Sequence, residues 1–273
     1  TFLGGLSKIL ENSAQPQSCL LELCSNDHSF NSASLEPFPQ EPYSLVCSIL
    51  TNPAFPASDK NLDNELFTVS WLKEVYQFVD QNFKSFLEEF REFIRKPGVS
   101  TENTGMQETV GWLVVKMKEN GVENVQTFET QRHPVVLGRV GKGAKRTLLV
   151  YGHYDVQPPG DCQDWKADPF GAEIVGDRII GRGTCDMKNN LMASIHAVKA
   201  LSQTQKAIPI NLIFLFEGEE EIGSPSLKPF IEEHKDELSC DSILCGDGGG
   251  ENKIGQSLLV YGLKGILAVK LSV

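Results

Sequence analysis

The feature that most constrains the fold is a series of short, strongly apolar runs separated by segments with helical spacing. The runs lie within residues 146–155 (RTLLVYGHYD), 208–218 (IPINLIFLFEG) and 242–247 (SILCGD). Such runs are typical of strands that are covered on both faces. Helices are predicted between and after them, over 187–202 and 225–238. The alternation predicts an α/β fold with a mostly parallel sheet flanked by helices, in which ligands bind beyond the carboxyl ends of the strands.

The region before the first run divides into two parts. Up to about residue 62 the chain is rich in Pro, Ser and Asn and shows no apolar period, so we interpret residues 1–66 as an N-terminal extension. Apolar residues then recur every three or four positions from Leu72 to Ile94, which predicts a long amphipathic helix ended by Pro97. We expect next a helix over 106–120, strands over 122–128 and 134–140, and a hairpin turn at the GKG of 141–143.

Composition and charge narrow the class of protein. A chain of 273 residues with 40% apolar content is long enough for one or two domains. The net charge of -11 argues against nucleic acid or a membrane as partner, because a polyanion would be repelled over most of the surface. No apolar run approaches the roughly 20 residues of a membrane helix. The seven cysteines include no CxxC pair, and TFLGGLSKIL lacks signal-peptide features, so we expect reduced thiols and a cytoplasmic location.

Residues of the kinds that bind metals stand at or near the ends of the predicted strands. Imidazole nitrogen and carboxylate oxygen are the ligands that hold zinc and similar divalent ions. Carboxylates crowded at one edge of a sheet repel each other unless a cation neutralises them. The ordered series therefore predicts a two-metal hydrolase. Its members are His153, Asp155, Asp186, Glu220, Glu221 and Asp247.

Several of these residues also have an ordinary structural interpretation. Asp186 precedes a predicted helix and would serve as its N-cap. The acidic run EGEEEIGS at 217–224 would be a solvated loop, and Asp247 would stabilise a turn. One observation argues against a solvated loop. The acidic run follows a strand too apolar to lie at the surface, so we expect at least one carboxylate to lie in the crevice at the strand ends.

Five motifs together resemble the M20 metallopeptidase family of zinc-dependent dipeptidases, carboxypeptidases and aminoacylases. LLVYGHYDVQPP, DWKADPF, GRGTCDMK, FEGEEEIGSPSL and GLKGI occur in the order and at the spacing which that family shows. The resemblance covers about residues 67–273. It implies the N-terminal part of a catalytic domain over 67–262 and the first strand of a lid domain over 263–273.

The resemblance also implies roles for single residues. The zinc ligands would be His153, Asp186, Glu221 and Asp247. Among them, Asp186 resembles the ligand that bridges two zinc ions. Asp155 resembles the carboxylate that supports His153, and Glu220 resembles the general base. In this register Glu217 and Glu219 are not ligands.

The implied reaction is hydrolysis of a peptide bond by a bridging water that two zinc ions activate, with a Glu general base. An N-acyl amino acid deacylase and an inactive truncated isoform that binds a partner are the alternatives. We expect the full-length form to be a homodimer through the lid domain. One departure from the family is DMKNN, because family members usually have glycine soon after the Asp-x-Lys and this chain has Asn189 and Asn190. We expect a side chain there to crowd the start of the helix and shift Asp186.

Overall fold

The computed structural model describes residues 64–205 and 208–247. The helices are α1 (Asn64–Ile94), α2 (Met106–Glu119), α3 (Lys188–Thr204) and α4 (Leu227–Glu233). The strands are β1 (Glu123–Phe128), β2 (Val135–Val140), β3 (Thr147–His153), β4 (Glu173–Val175), β5 (Arg178–Ile180), β6 (Asn211–Glu217) and β7 (Ser242–Cys245). Residues 1–63 of the predicted extension (1–66) and the predicted lid strand at 263–273 lie outside the described residues. Within them, no helix combines the length and apolarity needed to cross a membrane.

Five strands form one sheet in the order β1-β2-β6-β3-β7. Strand β3 pairs in parallel with β6 on one side and with β7 on the other. Only β2 runs against its two neighbours, β1 and β6. Four of the five strands therefore point the same way, which confirms the predicted mostly parallel α/β sheet.

The predicted hairpin turn at 141–143 is wrong. Strands β2 and β3 are consecutive in the chain, but β6 lies between them in the sheet. Gly141 has a φ of 76°, and a Cβ there would lie 2.8 Å from the carbonyl oxygen of Ile210 at the start of β6. The segment is thus a tight connection that passes the end of β6. A local turn signal cannot show that a later strand is inserted between the two it joins.

Both faces of the sheet are buried, as the apolar runs predict. In β3 and β6, alternate side chains pack into two separate clusters on opposite faces. Leu148 and Phe214 belong to the cluster beneath α1, α2 and α3, whereas Leu149 and Leu215 belong to the cluster beneath α4. Burying one such side chain stabilises the fold by roughly 1.5–3 kcal/mol. Polar residues in these strands are consequently confined to the ends.

Lys188 joins the start of α3 to the end of α1. Its side chain is completely buried, and Nζ donates hydrogen bonds to the carbonyl oxygens of Phe93 at 3.3 Å, Pro97 at 3.2 Å and Lys96. A cation is favourable there because the last carbonyls of a helix carry partial negative charge. Burial lowers the pKa of Lys188 to about 7. This anchor fixes the loop that carries Asp186, two residues earlier.

Candidate metal centre

The parallel strands bring the predicted residues to one edge of the sheet. Strand β3 ends at His153 and β6 ends at Glu217, its partner in the register. Asp247 follows the end of β7 by two residues. Asp186 comes from the loop before α3, and Glu220 from a short 3-10 turn after β6. These side chains converge because β6, β3 and β7 are neighbours in the sheet. The sequence predicts only the order of these strands along the chain.

His153 lies at the centre of the cluster and has no exposed surface. Its Nε2 atom is 3.0 Å from Asp186 Oδ1, 3.8 Å from Asp247 Oδ2 and 3.9 Å from Glu220 Oε2. Ligand atoms of His153, Asp186 and Asp247 all lie within 4.8 Å of one another. One imidazole nitrogen and three carboxylates thus face a common point.

Asp155 organises the other side of the imidazole. His153 Nδ1 lies 3.0 Å from the backbone oxygen of Asp155 and 3.3 Å from its Oδ1 atom. Because both are acceptors, Nδ1 carries a proton, and a metal ion would take the place of the proton that Nε2 shares with Asp186. The same buried carboxylate accepts hydrogen bonds from the backbone N–H groups of Glu220 at 3.3 Å and Glu221 at 3.2 Å. Asp155 therefore couples the histidine to the acidic turn.

The electrostatics of the cluster fit a bound cation. Burial opposes protonation of His153, but hydrogen bonds to Asp155 and Asp186 outweigh it and raise the pKa of the imidazole to about 11. A proton on the imidazole thus compensates part of the surrounding negative charge. Burial raises the pKa of Asp247, and the negative charges of the nearby Asp186 and Asp155 carboxylates raise it further. A divalent ion placed among these groups would supply the missing positive charge and displace the proton.

Glu220 and Glu221 occupy different surroundings although they are neighbours in sequence. Burial, together with the Asp247 and Glu221 carboxylates and against the pull of His153, raises the pKa of Glu220 to about 6. Glu221 stands outside the three-residue cluster. Its Oε2 accepts a hydrogen bond of 2.7 Å from Gln157 Nε2, which also donates to the Glu221 carbonyl at 3.2 Å. Sequence reasoning missed Gln157, although it stands inside the VQPP of the first motif.

Glu219 is a buried structural carboxylate. One of its oxygens accepts hydrogen bonds from Thr130 Oγ1 at 2.9 Å and from the backbone N–H of His133 at 3.0 Å. The other accepts one from the backbone N–H of Ser226 at 3.0 Å. Glu219 therefore ties the β1–β2 loop to the segment that carries Glu220. The sequence contains no signal that separates it from the two glutamates that follow.

Glu217, the last residue of β6, is buried beside the cluster. Its Oε1 accepts hydrogen bonds from Tyr151 Oη at 2.6 Å and from Ser224 Oγ at 2.8 Å. Burial, partly offset by these hydrogen bonds, raises the pKa of Glu217 to about 7. The hydrogen bond from Ser224 joins Glu217, before the acidic turn, to the residue at which the turn ends.

Asn190 does not displace Asp186, in contrast to the expectation from the DMKNN departure. Asp186 stays 3.0 Å from His153, and hydrogen bonding to His153 lowers the pKa of its carboxyl. The Asn190 side chain instead donates a hydrogen bond to the carbonyl oxygen of Gly246. It thereby links the first turn of α3 to the residue before Asp247.

Comparison with known proteins bears on the same region. The sequence model of Peptidase family M20/M25/M40 matches residues 149–260, which span the end of β3, the acidic turn and β7. This part of the chain belongs to the M20 peptidase family. The family implies a divalent metal, and the M20 region places one histidine and two carboxylates, His153, Asp186 and Asp247, where they could hold such an ion.

Three relatives illustrate the range of the family. The chain is 30% identical to the Cys-Gly metallodipeptidase DUG1 of Candida albicans, over 71% of this chain and 44% of that one. It is 31% identical to a succinyl-diaminopimelate desuccinylase of Methylocella silvestris, over 66% of this chain and 48% of the other. Its fold resembles the M20 family metallo-carboxypeptidase Sso-CP2 of Sulfolobus solfataricus, with a TM-score of 0.58 and 39% identity, over 60% of this chain and 37% of that one. The chain spans less than half the length of these relatives.

A cavity of about 400 Å³ opens beside the candidate metal centre of the M20 region. Asp186 and Glu221 line one part of it, and Trp165, Lys166, Ile180 and Arg182 line another. A volume of this order lies within the range of small-molecule sites in proteins. The cavity therefore gives a substrate group room next to the proposed reaction centre.

Proposed function

We propose that the whole protein is a dizinc peptidase that cleaves dipeptides. The observation that carries the proposal is the convergence of three carboxylates on Nε2 of the buried His153, at the carboxyl ends of parallel strands. In this proposal His153, Asp186 and Asp247 hold one zinc ion. Asp186 would also be a ligand of a second ion, which Glu221 would help to hold.

Zinc ions, when bound, polarise the scissile carbonyl and lower the pKa of a bound water from 15.7 to about 7. The residues of the chain carry out the remaining tasks. Asp155 keeps the proton on Nδ1 of His153, so that Nε2 faces the ligand set. Its hydrogen bonds to the backbone of Glu220 and Glu221 hold both carboxylates beside that point.

Glu220 is the proposed general base. Its Oε2 atom lies 3.9 Å from His153 Nε2, farther than the nearest oxygens of Asp186 and Asp247. Glu220 therefore lies at the border of the proposed zinc ligands. Without metal, burial and the nearby carboxylates raise the pKa of Glu220 to about 6, and burial, the larger cause, brings its proton affinity toward the neutral range in which a general base is most effective. The carboxylate would take a proton from the attacking water and deliver it to the leaving amine. The peptide C–N bond then breaks to give a free amine and a carboxylate.

The dipeptide substrate class is supported by relatives whose names state that activity, such as the Candida Cys-Gly dipeptidase. The desuccinylase relative favours an N-acyl amino acid as the second candidate, because the same arrangement cleaves any amide bond of suitable size. The domain boundaries, a homodimer through the lid domain and a cytoplasmic location stay predictions from the sequence.

Hydrolysis by the whole protein tests the proposal directly. Cys-Gly and an N-succinyl amino acid would be incubated with the chelated protein and with the zinc-reconstituted protein, and amine release would be measured. We expect Cys-Gly cleavage that depends on zinc. Preferential cleavage of the N-succinyl compound would select the second candidate. Amine release from neither compound would contradict both.

A further inference from the structure

The residue that ends the acidic turn, residues 218–224, has a strained backbone. Ser224 has a φ of 51° and follows Gly223, whose φ is 88°. Glycine adopts this left-handed conformation readily, but in other residues it brings Cβ too close to the backbone. Pro225 comes next, and a residue before proline strongly favours a negative φ. The fold therefore holds Ser224 in a conformation that its local preferences oppose.

A buried hydrogen bond accompanies this strain. Ser224 Oγ donates to Glu217 Oε1 at 2.8 Å, and both residues are buried. Tyr151 Oη donates to the same oxygen at 2.6 Å. A hydrogen bond to a carboxylate is stronger than one between neutral groups, so it can offset a strained backbone. Such strain persists only where the surrounding contacts determine the conformation, and it clusters at functional sites.

Glu217 is a rigid support for this hydrogen bond. It is the last residue of β6 and pairs with His153 in the sheet. Its carbonyl oxygen accepts a hydrogen bond of 2.8 Å from the backbone N–H of Tyr154. Tyr151, which contacts its side chain, is itself buried in β3. The hydrogen bond from Ser224 therefore joins the end of the turn to the edge of the sheet at which His153 lies.

The closed turn sets the direction of the two glutamates at its centre. The backbone N–H of Ser224 donates to the carbonyl oxygen of Glu219 at 2.8 Å, which curls the segment between them. In this curled form the backbone N–H groups of Glu220 and Glu221 reach the carboxylate of Asp155. Opening the turn at Ser224 would release both N–H groups from that carboxylate.

We propose that Ser224 and Glu217 form a clasp that positions Glu220. The inference rests on the proposed function, in which Glu220 is the general base. Ser224 and Glu217 are positioning residues, because they act through the backbone of the turn and not on the reacting atoms. The clasp also accounts for the positive φ of Ser224, since only this backbone direction brings the hydroxyl to Glu217 while the turn is closed.

Amide hydrogen exchange tests the clasp without turnover. The whole protein, freed of metal, would be compared with its Ser224→Ala and Ser224→Gly variants by mass spectrometry. Both substitutions remove the hydroxyl, but only glycine also relieves the strained φ. We expect the amides of residues 218–224 to exchange roughly tenfold faster in both variants. The amides of β6 should exchange at the original rate, because its pairing in the sheet does not change.

Ser224→Gly separates positioning from stability. Ser224→Ala should lower the melting temperature, because it loses the hydrogen bond and keeps the strain. Ser224→Gly should melt close to the original protein, since relief of the strain offsets the lost hydrogen bond. We nonetheless expect Ser224→Gly to lower kcat for Cys-Gly by about 10- to 100-fold with little change in KM, because a displaced base acts less well in the transition state.

Ser226→Ala is the matched control. Ser226 and Ser224 are equally buried, each with 8% of its surface exposed, but Ser226 Oγ has no partner among the described residues. Its substitution should leave both exchange and kcat unchanged. Glu217→Gln and Glu217→Met form a second pair, because only the amide oxygen of glutamine can still accept from both hydroxyls. Glu217→Gln should keep kcat much closer to the original value, and this pair decides the question if Ser224→Ala does not fold.

Three results would overturn the proposal. The first is exchange in both Ser224 variants as slow as in the original protein, and the second is an equal acceleration by Ser226→Ala. The third is faster exchange with an undiminished kcat, which removes the positioning role and leaves the proposed function intact. Failure of the proposed function looks different, because the original protein then releases no amine from its substrates, whatever the exchange rates of the Ser224 variants.

Discussion

The carboxylate of Asp155 accepts a hydrogen bond from the backbone N–H of Glu220 at 3.3 Å. The same side chain lies 3.3 Å from Nδ1 of His153. One fully buried carboxylate thus sets the orientation of a proposed zinc ligand and the position of the proposed general base. Their mutual geometry depends on a residue that binds neither metal nor substrate.

Replacing that carboxylate should weaken metal binding. Each Asp155 oxygen accepts a hydrogen bond from one backbone N–H, and Asp155→Asn replaces one of these oxygens with an amide nitrogen that cannot accept it, so the turn and the imidazole would shift. Substitutions of groups that support metal ligands typically cost about 10- to 100-fold in affinity. Competition with a chelating dye would measure the zinc dissociation constant. Asp161→Asn, an exposed aspartate that caps a 3-10 turn, is the control and should leave the constant unchanged.

The 273-residue chain should bind one zinc ion tightly. His153, Asp186 and Asp247 form a compact ligand set, whereas the second position has only Asp186 and Glu221 among the proposed ligands of the described region. Equilibrium dialysis followed by elemental analysis would give the stoichiometry. Two tightly bound ions per chain would contradict the expectation. Bound zinc should also raise the melting temperature once its concentration exceeds the dissociation constant.

The three consecutive glutamates should respond differently to replacement by glutamine in the whole protein. Glu220→Gln should retain zinc and lose turnover by a factor of about 10² to 10⁴, because an amide cannot accept the proton. Glu221→Gln should lose zinc instead. Glu219→Gln should lower the melting temperature, because its oxygens accept three hydrogen bonds, two of them buried. If Glu219→Gln is the variant that keeps both zinc and stability but loses turnover, the assignment is shifted by one residue.

Asn190 should contribute to zinc binding through Asp247. Asn190→Ala removes the hydrogen bond to the Gly246 carbonyl and frees the segment after β7. A single hydrogen bond is worth about 0.5–1.5 kcal/mol, so zinc affinity should fall roughly two- to tenfold. Asn189→Ala is a matched control in the same helical turn, because the side-chain oxygen of Asn189 has no partner among the described residues. If both substitutions reduced zinc affinity equally, the cause would be a general disturbance of the first turn of α3 and not the loss of support for Asp247.

Away from the site, Glu89 should make stability depend on pH. His196 Nε2 donates a hydrogen bond of 2.9 Å to Glu89, with further support from Asn120 and Lys116. The hydrogen bond from His196 is the main reason that the pKa of Glu89 falls from 4.5 to about 2. Burial lowers the pKa of His196 itself, so a neutral imidazole donates this bond near pH 7.

Since the folded pKa of Glu89 is the lower one, its contribution is complete above pH 4.5 and disappears as the pH falls toward 2. Glu89→Gln should therefore lower the free energy of unfolding by about 1.5–3 kcal/mol at pH 6. The difference from the original chain should shrink steadily in the acid range. Urea unfolding at a series of pH values would measure it, with the exposed Glu92→Gln on the same helix as control. A difference independent of pH would contradict the argument.

The sequence by itself determined the order of the main strands and helices, the placement of His153 and Asp247 near strand ends and that of Asp186 just before a helix. Apolar runs and helical spacing are local properties, and the carboxyl ends of parallel strands necessarily share an edge. The candidate metal residues could therefore be named before any coordinates, with the resemblance to the M20 family supplying their separate roles.

Tertiary structure decided what depends on contacts between distant segments. The insertion of β6 between β2 and β3 invalidated the predicted hairpin, because strand pairing is set by packing of both faces and not by the turn. Three adjacent glutamates look alike in sequence. In the fold, Glu219 contacts the β1–β2 loop, Glu220 points toward His153 and Glu221 contacts Gln157. These partners come from distant parts of the chain, so the direction of each side chain depends on the tertiary structure.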